Sequence, residues 1–380
     1  PYQRPPLSKA FLLGKADGRS LALRNAAFYQ ERDIDVVCGE RVVRLTLAPD
    51  GSGGSGSAIT DSGRNIPFRR LALTVGAHPR ELRLPGAELA GVRYLRNLDD
   101  AHRLRRDLSQ AHRVVVIGGG YIGLEAASVA RSLGKDVTVV ETADRLIARS
   151  VAPVVSEFYR RAHENRGTSV RLGAAVTALT GTDGRVAGVD LGDGTHLPAD
   201  LVLVGIGIAA RTALAEQIGL LCDGGIVVDE FARTSVPSVV AAGDCTVLPN
   251  PLTGEGRVRL ESVQNAVSQA KVAAATLAER PNPYTDVPWF WSDQYDLKLQ
   301  IAGLASGYDD FVVRGDPASE RFSVLYYRNG RLVAADAVNC VRDYLTVRKA
   351  LAQGVTIPAD AARRTDTPLK SLLTMDADPG

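Results

Sequence analysis

Three glycines, Gly118, Gly120 and Gly123, stand at G-x-G-x-x-G spacing inside VVVIGGGYIGLEAA, Val114 to Ala127. RVVVI precedes them, IGLEAASVARSLG follows, and DVTVVE comes next. Strand, loop, helix and second strand in that order form a dinucleotide-binding fingerprint, which a lone glycine match would not. Gly118 permits the tight turn, Gly120 lets backbone approach a pyrophosphate, and Gly123 allows the helix to lie against the strand. Tyr121 and Ile122 open the helix, whose free N–H groups and about half a positive charge face the phosphates. Glu141 ends the second strand, where a carboxylate accepts from the adenosine ribose hydroxyls and repels a 2′-phosphate. The expected nucleotide is therefore NADH rather than NADPH, with Arg145 and Arg149 as the nearby cations that could weaken the preference.

More than a hundred residues precede this loop, and they must belong to something else. RVVRLTL, Arg41 to Leu47, reads as a strand; APDGSGGSGSAITDSGR reads as a loop, a mobile hairpin tip in preference to a binding flap. A buried strand ending at Gly76 and a helix from Asp99 to Leu108 lead into the fingerprint. The βαβ unit and its further strands run to about Gly219, two more strands lie between Gly224 and Cys245, and an alanine-rich helix follows Arg259. After the breakers Pro281 and Pro283, SVLYYRNGRLVAADAV reads as a hairpin turning at Asn329-Gly330. The expected fold is α/β, a dinucleotide domain inserted in another domain, followed by a C-terminal α+β domain.

Composition narrows the function classes. A net charge of +2 gives no nucleic-acid footprint. The longest apolar run, Leu201 to Ala210, is far below the roughly 20 residues of a membrane span. Cys38, Cys222, Cys245 and Cys340 are scattered and form no C-x-x-C pair, so neither a dithiol relay nor a cysteine zinc cluster is expected, and a reducing cytoplasm suits them. The five histidines are isolated and suggest no metal site.

VVAAGDC, Val239 to Cys245, is a buried apolar strand that delivers an aspartate beside a glycine, suited to a ribitol or ribose hydroxyl chain. With it come RPPLSK (Arg4 to Lys9), VVVIGGGYIGLE, PADLVLVGIG (Pro198 to Gly207), RLESVQNA (Arg259 to Ala266) and PWFWSDQYD (Pro288 to Asp296). Through these strings, from its first residues to near its last, the chain resembles the FAD-dependent ferredoxin reductases that feed monooxygenases and ring-hydroxylating dioxygenases.

That resemblance implies two Rossmann-like domains, with an NAD-binding domain (97–219) inserted in an FAD-binding domain (1–96 and 220–282), and an interface domain (283–380). It implies that Arg4, Gly207, Gly243 and Asp244 bind cofactor, Asp244 through the ribityl chain. Glu261, Ser262 and Val263 would lie along FAD and Trp291 near the isoalloxazine, although residues alone would make Trp291 a core aromatic. It also places Lys9 beside the flavin, paired with Glu125. Neither charge could sit unpaired in a dry site, and a lysine there would favour the electron-rich reduced ring; the alternative is two solvated surface charges. The family's own first strand, glycine loop and helix for FAD precede the position where this chain begins, so a fragment is expected; the alternative is a chain that retains NADH binding only. The implied partner is an acidic two-iron ferredoxin, with Arg69, Arg70, Lys298, Arg342 and Arg348 as docking candidates and no nucleic-acid or membrane partner. Rival functions are an NADH oxidase, a redox-signalling flavoprotein, or a non-enzymatic NADH-binding module.

Overall fold

Arg113–Ile117 runs through the middle of a five-stranded parallel sheet. Its β-branched residues alternate between two apolar layers. Val114 and Val116 face the cluster formed with Leu124, Val129 and Tyr159, whereas Val115 and Ile117 face Val186, Val189 and Leu191 of an antiparallel meander. A strand buried on both faces reads as an unbroken apolar run, as this one does. The computed structural model describes residues 1–48 and 55–375.

The strand order in this sheet is Val92–Arg93, Leu201–Val204, Arg113–Ile117, Asp136–Val140, Thr168–Arg171. The chain steps outward from Arg113–Ile117 through two strands, then returns to its other side. The loops after Ile117 and Val204 thus leave adjacent strands at a topological switch point, where open α/β sheets bind ligands. The edge strand Val92–Arg93 lies ahead of residue 97, so the sheet begins before the expected boundary.

The flanking segments pair with each other across this insertion. Leu71–Leu73 and Val239–Ala241 form a parallel pair, whereas Ala77–Pro79 pairs antiparallel with Ile208–Ala210 of the inserted segment itself. The first hairpin differs from expectation. Gly56–Thr60, read as loop, is a strand on Val42–Leu47, with Ala58 and Thr60 buried; the glycine and serine run at 51–54 lies outside the described residues. Helices form at Leu98–Gln110, capped by Asn97 and Asp100 in a capping box, and at Val263–Leu277, capped by Ser262.

The C-terminal segment is a five-stranded antiparallel sheet with the helix Val341–Gln353 on one face. Its hairpin turns at Asn329 and Gly330, both with positive φ (51° and 75°), as a type I′ turn requires. The sheet's other face carries Leu299, Phe322, Val324 and Tyr326 into the same core as Leu124 and Tyr159. Among the described residues no helix is long and apolar enough to cross a membrane, and no His, Cys, Asp and Glu cluster has the makings of a metal site.

Candidate functional site

The three fingerprint glycines have different reasons to be glycine. Gly118 has φ +109°, and a Cβ there would lie 2.5 Å from the Gly205 carbonyl oxygen on the neighbouring loop. A Cβ on Gly123 would collide with the Gly118 carbonyl oxygen and crowd Val116, so the helix Tyr121–Ser132 could not approach its strand. Gly120 has φ −83°, and a Cβ on it would meet nothing within 4 Å. The fold does not demand glycine at 120; the open space beside it suits a cradle for a pyrophosphate.

Glu141 is held beside this loop. Its Oε2 accepts the Gly119 N–H at 2.7 Å, and its Oε1 accepts the Ala143 N–H at 2.8 Å. Gly119, which the spacing argument passes over, has Glu141 and Leu146 where a side chain would go. Arg145 is engaged elsewhere: its guanidinium donates to the Val151 and Ala148 carbonyls and to Ser156 Oγ, pinning the loop before Pro153–Asn165. Arg149 stands apart from it, beside Gly207 and Arg80 at the switch point. Tyr121 turns inward, its ring against Phe290 at 4.7 Å; burial pushes its hydroxyl well above the usual phenol range, and Asp336 adds to this. Ile122 is exposed.

The same helix carries Glu125 to a second cluster. Pro5–Ser8 is a single 3₁₀ turn whose end places Lys9 Nζ 2.8 Å from Glu125 Oε2. Glu125 is 1% exposed and accepts two further bonds, from Ser8 Oγ at 2.5 Å and Ser292 Oγ at 2.7 Å. The Lys9 side chain keeps 19% of its exposure, so the pair is anchored at one end and open at the other. Two solvated surface charges are thereby excluded.

A third cluster lies at the end of Val239–Ala241. Gly243 (φ +86°) turns the chain and donates its N–H to Gln269 Oε1, leaving Asp244 to accept from Arg96 Nη2 at 2.9 Å. Arg96 also bonds the Ala77 carbonyl. Sequence reasoning missed this arginine, because nothing local announces a partner that lies 148 residues away. Glu261 is paired with Arg259 at 2.6 Å. Ser262 caps Val263–Leu277 through Asn265 N–H, so the N–H groups of Val263 and Gln264 remain without helical partners. Gln264 Oε1 accepts the Trp289 N–H, tying this helix start to the strand Trp289–Gln294. Trp291 is half-buried in tilted contact with Trp289 at 5.6 Å.

Two of these clusters join through the strand Trp289–Gln294: Trp289 bonds the helix that Ser262 caps, and Ser292 bonds Glu125. Arg4 is exposed ahead of the 3₁₀ turn and pairs with no acidic group among the described residues. Of the docking candidates, Arg70 is paired with Glu279, and Arg348 lies over the Trp289 ring and bonds Tyr344. Arg69, Lys298 and Arg342 are exposed. Cys245 is a buried thiol that burial pushes upward, and no cysteine pair is bonded among the described residues.

The donor sets suit two dinucleotides. One could be held by the open side of Gly120, the fixed Glu141 and Arg149; the other by Asp244, Arg96, the Val263 and Gln264 N–H groups that have no helical partner, and the partly exposed Lys9. The family profile described as pyridine nucleotide-disulphide oxidoreductase matches residues 1–270, and that described as reductase C-terminal matches 289–373. The chain belongs to the pyridine nucleotide-disulphide oxidoreductase family. It is 43% identical to rhodocoxin reductase of Rhodococcus erythropolis over 100% of this chain and 87% of that one, and 38% identical to putidaredoxin reductase of Pseudomonas putida over 98% and 88%. A solved ferredoxin reductase from Rhodopseudomonas palustris superposes with a TM-score of 0.93 at 40% identity, covering 98% of this chain and 91% of that one. The covalent putidaredoxin reductase–putidaredoxin complex gives 0.92 at 38% identity, covering 98% and 89%.

Proposed function

We propose that the protein is an oxidoreductase that passes electrons from NADH through FAD to a small iron–sulfur protein, an acidic two-iron ferredoxin that serves an oxygenase. The observation that carries this reading is the Lys9–Glu125 pair, its carboxylate buried and its ammonium partly open, set where the nucleotide-loop helix meets the tryptophan strand. FAD, when bound, supplies the coupling between a two-electron donor and a one-electron acceptor.

The chain's residues hold and orient. Gly118, Gly120, Tyr121, Ile122 and Gly123 form the NADH cradle, with Gly207 across the switch point. Glu141 binds the adenosine ribose, and with Arg145 tied into its loop, Arg149 is the one of the two arginines left facing the nucleotide. Gly243, Asp244 and Arg96 take the ribityl and phosphate side of FAD; Glu261, Ser262 and Val263 line its other end, and Trp291 covers the ring. Lys9 sets a positive charge at the flavin face, and Glu125 keeps that charge from being buried alone.

Replacing Lys9 with methionine keeps the packing of the stem and removes the charge. The expected result is bleaching of protein-bound flavin by NADH slowed at least roughly 10-fold at unchanged FAD content, the range a lost preorganised charge produces. Unchanged bleaching would remove Lys9 from catalysis.

A further inference from the structure

Behind Glu125 a line of buried side chains runs away from the flavin face. Ser292 Oγ bonds Glu125 Oε1 at 2.7 Å, Gln294 Nε2 bonds Ser292 Oγ at 3.2 Å, and Gln294 Oε1 meets His163 Nε2 at 2.9 Å. Ser292, Gln294 and His163 are each fully buried. Their directions are fixed by one end. A carboxylate only accepts, so Ser292 must donate to it; the amide then presents its NH₂ to Ser292 and its oxygen to His163; and His163 must carry its proton on Nε2. Every donor in the line points toward Glu125. Burial pushes the His163 ring down to about 4, with the Gln294 bond opposing in part, so the ring is neutral, and its Nδ1 has no partner among the described residues. The three residues come from two places, the end of the helix Pro153–Asn165 and the first strand of the C-terminal sheet, and neither element belongs to the nucleotide loop.

We propose, resting on the placement of Lys9 and Glu125 at the flavin face, that Ser292, Gln294 and His163 are positioning residues: a one-way line of donors that locks the Glu125 carboxylate and thereby aims Lys9. With Lys9 and Ser8 on one oxygen and Ser292 on the other, that carboxylate has little freedom to rotate while the line is intact. Loss of Ser292 frees Oε1 outright, and loss of Gln294 or His163 releases the donor that orients the Ser292 hydroxyl or its amide, so the hold on the carboxylate loosens; a displacement on the scale of 1 Å at such a group costs up to about 100-fold in rate.

Two measurements test this. Long-range ¹H–¹⁵N spectra of the purified protein labelled with ¹⁵N-histidine should show one neutral ring protonated at Nε2 and bare at Nδ1; a His163 protonated at Nδ1, or doubly protonated, at pH 7 would overturn the proposal. In stopped-flow reduction by NADH, Gln294→Leu, which keeps the shape and removes both links, should lower the limiting rate at least roughly 10-fold while the NADH concentration at half-maximal rate and the FAD content stay within about twofold. Ser292→Ala, a smaller change, should act in the same direction and serves if the leucine variant does not fold. Limiting rates indistinguishable from wild type in the folded variants would overturn the proposal. An Nε2-protonated His163 combined with an unaffected Lys9→Met would instead show the line intact and the catalytic reading of Lys9 wrong.

Discussion

At the scale of single residues, the site is made of charges that have been given partners. Glu141 illustrates the consequence. Its carboxylate accepts from two backbone N–H groups, which hold its negative charge beside the glycine loop. Turnover with NADH should exceed that with NADPH at least roughly 10-fold, and Glu141→Ala should raise the KM for NADH while narrowing that ratio to within about threefold, since the repelling charge is worth on the order of 1–2 kcal/mol. Asp336 is the opposite case, a carboxyl 1% exposed that accepts from Tyr326, with burial pushing it up to about 7. The folded state therefore holds this proton more tightly than the unfolded chain, and between about pH 4 and pH 7 stability falls as pH rises. Asp336→Asn should be near neutral at about pH 4.5 and more stable than wild type at about pH 8 by roughly 2–4 kcal/mol, because each tenfold gain in proton affinity on folding corresponds to about 1.4 kcal/mol. Thermal melts at the two pH values check the sign.

At the scale of elements, the glycine loop separates packing from binding. Gly118→Ala places a Cβ at positive φ against the Gly205 carbonyl and should destabilise the fold by about 2–3 kcal/mol or more. Gly120→Ala enters open space at an ordinary φ, so its melting temperature should match wild type while NADH affinity falls at least roughly 10-fold. Equal effects of the two substitutions on stability would refute the division. The loop, its strands and its helix were legible in the sequence because spacing and apolar period agree there. The strand Gly56–Thr60 was not, because serine and glycine hid an alternation carried by Ala58 and Thr60. Arg96 was missed for a similar reason: its partner Asp244 is 148 residues away, and nothing local marks a pairing made by tertiary packing. Lys9 and Glu125 came from resemblance, whereas Ser292, Gln294 and His163 became visible only once the C-terminal sheet was laid against the nucleotide helix.

At the scale of the molecule, the C-terminal sheet is a structural partner of the nucleotide-binding sheet through a shared apolar core and contributes Ser292 to the buried polar cluster. Its helix Val341–Gln353 exposes Val341, Arg342 and Leu345, and Lys298 is exposed on the neighbouring strand, which together make a mixed apolar and basic surface. Arg342→Glu combined with Lys298→Glu should slow ferredoxin reduction several-fold at low salt and little at high salt, while NADH-driven flavin bleaching is untouched, because rim charges act on encounter. The most direct test of electron transfer from NADH through flavin to ferredoxin is an anaerobic one: load the chain with FAD, remove free flavin, add one equivalent of NADH, then mix with an oxidised two-iron ferredoxin and follow the visible spectrum. Flavin bands should bleach with NADH and return as two ferredoxins are reduced per NADH. Flavin that stays oxidised with NADH, or that bleaches and returns its electrons only to oxygen, would contradict that path.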